Sequence, residues 1–82
     1  MSRARKIEKP VVIANHAMGL YELAAIHLTR EPPDFGQASV AIDALGAIID
    51  GLVGRLGEPE HTLRDALGQI RQAYVTLHDQ HT

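Results

Sequence analysis

The chain has 82 residues, is 45% hydrophobic, and sets 8 lysines and arginines against 10 aspartates and glutamates, a formal net charge of −2. That length predicts one domain burying only about 60–65% of its unfolded surface. The absence of cysteine excludes a disulfide framework and cysteine zinc sites, and the weakly acidic balance argues against a bulk electrostatic grip on nucleic acid or anionic lipid.

The N-terminal "SRARK" is basic, with Arg3, Arg5, Lys6 and Lys9 clustered ahead of the first apolar run. That run, Val11 to Ala14, is too short for a signal-peptide core. Asn15, His16, Glu22 and His27 interrupt the following segment and weaken it as a membrane span. A cytoplasmic location is therefore expected. Residues 1–10 read as a flexible basic arm and residues 11–79 as a single helical domain.

Two clusters divide that domain. "REPPDFG" (30–36) holds a Pro-Pro pair that ends a preceding helix. "LGEPE" (56–60) places Gly57 as a C-cap and Pro59 in a first helical turn. Apolar residues elsewhere recur at three and four, never in sustained alternation, so the spacing predicts three helices and no strand. Their expected spans are about 11–29, 35–56 and 59–78. The fold class is all-α: a three-helix bundle, or a helical hairpin with an N-terminal helix, completed by self-association.

The first helix carries Ile13, Ala17, Leu20, Ala24 and Leu28, with Met18, Tyr21, Leu23, Ala25 and Ile26 on its other faces. A helix apolar nearly all round expects to be buried. Two other short helices cannot cover it, which points to a partner. Asp34 is placed to N-cap the second helix, with Gln37 three residues on as a capping box prefers. The main seam of this helix is Ala38, Ile42, Leu45, Ile49, Leu52 and Leu56. A second row, Val40, Ala44, Ala47, Gly51 and Gly54, consists mostly of small residues, which let another helix approach closely. The third helix has the stripe Leu63, Leu67, Ile70, Tyr74 and Leu77. Glu60 and Arg64 stand at i,i+4 as a solvent-facing pair, with Arg64, Asp65, Gln72 and Asp79 as a polar back.

Residues that could carry chemistry are sparse. His78 and His81 stand at i,i+3, the spacing of a shared metal, but no third ligand is placed and a frayed, solvated terminus is the expectation. His16 and His27 are three turns apart and cannot meet within one chain. His27 reads as a hydrogen-bonded packing residue, and His61 as solvated. Ser39 has no local histidine–carboxylate partner. Asp43 and Asp50 read as solvated helix carboxylates. No catalytic residue, metal site or cofactor is expected.

Three strings, "AAIHL" (24–28), "AIDALGAI" (41–48) and "IRQAYV" (70–75), come in an order that resembles a bacterial family of small helical proteins catalogued as domain of unknown function 1844. The likeness covers about residues 16–78. It carries over His27, Asp43 and Tyr74 as motif positions with structural roles, and implies no activity. Relatives join their last helices through Asn-Leu-Thr-Pro-Glu-Glu where this chain has "GEPEHT", so Glu58 replaces a threonine cap.

The function expected is a non-enzymatic helical protein–protein interaction module that self-associates as a dimer. Its interface candidates are Ile13, Leu20, Tyr21, Ala44, Ala47, Gly51 and Gly54. An unidentified protein is the other expected partner class, and neither nucleic acid nor membrane is. The alternative function is an accessory factor linked to translation or RNA through the basic arm, a lean the family resemblance adds to.

Overall fold

The computed structural model describes residues 2–81, with side chains from Val12 to His81. Helix α1 spans Ser2–Leu28, α2 Phe35–Gly51 and α3 Pro59–Gln80. Each helix packs against the other two, and the described residues contain no strand. The chain folds as an all-α three-helix bundle.

Helix α1 starts nine residues earlier than its apolar pattern predicts. The stretch expected as a flexible arm is helical backbone from Ser2 onward. It crosses Pro10, whose missing N–H forgoes the rung to the Lys6 carbonyl. The side chains of Arg3, Arg5, Lys6 and Lys9 lie outside the described ones. The other end of α1 closes where Thr29 Oγ1 donates to the Ala25 carbonyl at 2.9 Å. In the link to α2 the Glu31–Pro32 bond is cis, and the Asp34 N–H donates to the His27 carbonyl at 2.9 Å. Asp34 then N-caps α2 as its position predicts, accepting from the Gln37 N–H at 3.0 Å. That satisfies one of the amides the first helical turn leaves open.

Helix α2 stops at Gly51, five residues short of the expected end. The cause lies in α3. The Glu60 carboxylate accepts from the Gly54 N–H at 2.9 Å and the Leu56 N–H at 3.3 Å. In a continuing helix those amides would bond the carbonyls four residues back. Gly54 and Gly57 adopt φ of 77° and 76°, the left-handed region where glycine meets no Cβ penalty. The turn folds Leu56 back so that it is fully buried. Glu58, where the family resemblance expects a threonine cap, makes no side-chain cap bond.

The predicted seams of α2 and α3 form the core. Ala38, Ile42, Leu45 and Ile49 face Leu63, Leu67 and Ile70, and all are buried. Helix α1 contributes Ala14, Ala17, Ala24 and Leu28, a mostly alanine seam that brings its backbone close to both partners. Ile13, expected as a leading seam residue, is 37% exposed instead. Asn15, Ala14 and Met18 share a surface depression with Glu58, Pro59 and Thr62, so α3 begins level with Ala14. The dozen or so residues of α1 before that point run about 18 Å past the bundle. This accounts for the 52 Å long axis and the 14.3 Å radius of gyration, against about 11.7 Å for a compact domain of this length.

Candidate interaction surface

Residues advance 100° around a helix, so the residues of α1 that touch α3 identify its other sides. Ala14 and Met18 meet the start of α3. The side of α1 turned away from α3 carries Val12, Ile13, His16, Gly19, Leu20 and Leu23. Val12 and Leu23 are 48% and 43% exposed, and a Cβ built on Gly19 would meet nothing within 4 Å.

The same reading applies to α2. Ser39, Ile42 and Asp43 line a groove with Arg71, Tyr74 and Val75 of α3. Gly46 lies on that side too, its Cβ position 2.8 Å from the Arg71 guanidinium and 3.8 Å from Leu67. The opposite flank of α2, beside α1, therefore carries Val40, Ala44, Ala47, Ile48 and Gly51. Val40 is 63% exposed, Ala47 and Gly51 are exposed, and the Gly51 Cβ position is open space.

The two flanks join into one face, with Leu20 and Leu23 along α1 and with Ala44, Ala47 and Gly51 beside Val40 and Ile48 along α2. No carboxylate interrupts it: Asp43 and Asp50 stand on the α3 side of α2, and Glu22 on the α3 side of α1. His16, His27 and Gln37 are the polar residues placed on it. An apolar face spanning two helices without a charge is unusual on a monomer surface.

Five of the seven expected interface residues, Ile13, Leu20, Ala44, Ala47 and Gly51, lie on this face. The other two do not. Tyr21 is half-buried against the core on the inward side of α1, because it falls seven residues from both Ala14 and Leu28. Gly54 belongs to no helix face, since α2 has ended before it; its value is the positive φ of the turn. The close packing expected along the small row is also not made within the chain. At Gly46, on the other flank, the tip of the Arg71 side chain comes within 2.8 Å of the Cβ position and Leu67 lies at ordinary contact distance.

The motif positions separate. Asp43 and Tyr74 both line the α2–α3 groove, whereas His27 is half-buried on α1 with a buried Nδ1 that has no hydrogen-bond partner. The expected hydrogen bond of the His27 ring is thus missing at that nitrogen. Tyr74 is half-buried and belongs to an aromatic group that sequence spacing did not reveal. Phe35 stands edge-on to Tyr74, His78 and His81, with ring centroids 5.5, 5.1 and 5.7 Å away, and Tyr74 stacks on His78. The His81 Nδ1 also lies 2.8 Å from the Leu77 carbonyl. His78 and His81 remain exposed, as expected, while their rings stand against Phe35 at that end of the bundle. The described residues contain no group of three metal-ligating side chains. No described helix is long and apolar enough to cross a membrane.

The pKa of Glu60 lies below the ordinary value of 4.5, held down chiefly by the Gly54 N–H, then by the Leu56 N–H and Arg64. The expected Glu60–Arg64 pair is present at 3.4 Å, but the turn amides dominate.

No family model matches the chain, no curated protein matches it, and no solved structure matches it. The resemblance to domain of unknown function 1844 thus stands on the three quoted strings alone.

Proposed function

We propose that this chain is a non-enzymatic helical protein–protein interaction module that self-associates through the outer face of α1 and α2. The observation that carries the reading is that face: apolar, free of carboxylates, and continuous over two helices. Val12, Leu23 and Val40 stand exposed on it, and a second copy of the chain is the occupant proposed.

Sedimentation equilibrium at 1–100 µM, on the order of ordinary dimer affinities, tests the proposal. The expected result is a mass of twice 8.9 kDa that Leu23→Glu returns to the single-chain value with helicity unchanged. A wild-type monomer across that range removes the proposal.

A further inference from the structure

We infer that the groove between α2 and α3 binds a small zwitterion, an α-amino acid with an apolar side chain, between Arg71 and Asp43. The groove lies on the opposite flank of α2 from the face proposed for self-association. The inference does not depend on that proposal.

Arg71 reaches from α3 across to α2. Its guanidinium rests on Gly46, with one nitrogen 2.8 Å from the place a Cβ would take. A side chain there would displace it. Asp43 stands on the same flank of α2, one turn toward the helix start and about 4.5 Å along the axis from Gly46. That offset keeps the two charges apart. Among the described residues neither Arg71 nor Asp43 makes a hydrogen bond or an ion pair.

The depression they line has a volume of about 330 Å³, at the small end of the range for ligand pockets. Ser39, also on its wall, donates its hydroxyl to the Gly36 carbonyl at 3.0 Å. Arg71 and Asp43 are therefore the charged groups left to meet a ligand. Ile42, the Tyr74 ring and Val75 supply the apolar wall, and Val75 is 51% exposed.

Charge decides the ligand class. A simple anion would pair with the guanidinium but stand beside the Asp43 carboxylate, and a simple cation would meet the reverse. An α-amino acid carries both charges on one carbon and matches both walls. Its carboxylate accepts from two guanidinium N–H groups, and its ammonium donates to Asp43. An apolar side chain then covers Ile42 and Val75 and removes their surface from water. A direct pair between two exposed groups such as Arg71 and Asp43 contributes little, so it is a weak competitor.

The test titrates L-phenylalanine into the full chain, up to about 10 mM, a range suited to so small a ligand on an open groove. Amide NMR signals are followed. Saturable shifts are expected at Gly46, Val75 and their neighbours, with a Kd on the order of 1 mM. Hydrocinnamate lacks the amine and phenethylamine lacks the carboxylate, so each should bind at least about tenfold more weakly. Arg71→Gln and Asp43→Asn change exposed residues, so circular dichroism should be unaltered while affinity falls about tenfold. Gly46→Ala keeps both charges but takes the guanidinium's place, and should weaken binding at least about threefold. No saturation in the wild type overturns the inference. So does hydrocinnamate or phenethylamine binding as tightly as the amino acid, or an unaltered affinity in either charge variant. An unaltered affinity in Gly46→Ala overturns the seat of the guanidinium on Gly46.

Discussion

Glu60 shows how one side chain settles a boundary. Its carboxylate takes amides from a turn six and four residues back, which ends α2 and directs Leu56 inward. Because its folded pKa is depressed, the stability it supplies is present above pH 4.5 and is lost as pH falls through the lower folded value. Urea midpoints of the wild type and Glu60→Gln should therefore differ most near pH 6 and converge toward pH 3. A constant gap over that range would mean the charge is not what holds the turn. Tyr74 is a second test at this scale. Half-buried, with an edge contact to Phe35 and a stack on His78, it should lose less than a fully buried aromatic does. Tyr74→Ala is expected to cost about 2 kcal/mol in denaturant titration. The i,i+4 spacing of Glu60 and Arg64 was legible in the sequence. The turn contacts were not, because nothing local marks which distant amide a carboxylate will meet.

Among the helices, glycine position separates packing from exposure. Gly46 and Gly51 look alike in sequence, yet one abuts α3 and the other faces open space. At Gly46 the nearest atom is the tip of the exposed Arg71 side chain, which can swing aside, and Leu67 is at ordinary contact distance. Gly46→Ala should therefore be neutral or raise stability by up to about 1 kcal/mol through helix propensity. A loss above that size would show that Arg71 is fixed where it lies. The alanine seam of α1 is less tolerant. Ala24 has no exposed surface, and Ala24→Leu should destabilise by about 1–3 kcal/mol as the helices are forced apart, measured by thermal unfolding under conditions that keep the oligomeric state constant. The seams of α2 and α3 were readable from their three-and-four spacing. That of α1 was readable in part: Ala17, Ala24 and Leu28 are buried as expected, but Ile13 is exposed and Ala14 is buried, because periodicity cannot rank faces that are all apolar.

At the level of the whole molecule, the proposed self-association rests on a face that carries no carboxylate. Association driven by apolar contact is little screened by salt. Raising sodium chloride from 0.05 to 0.5 M, on the order of a threefold shorter screening length, should change the dimer dissociation constant by less than about threefold. A steep weakening with salt would assign the contact to charged groups outside this face.

The sequence by itself determined three helices, their punctuation at two Pro/Gly joints, the Asp34 cap, and the core rows of α2 and α3. These follow from short-range rules of backbone geometry and residue spacing. It also carried the excess of apolar surface, since composition and length bound how much a chain can bury. Only the tertiary structure decided which apolar rows turn inward. Placing α3 against Ala14 and Gly46 left Leu23, Val40 and Gly51 on one shared face. It also gathered Phe35, Tyr74, His78 and His81 at one end. Those outcomes depend on how three helices pack around one core, and contacts between segments distant in sequence leave no mark in the spacing of any one of them.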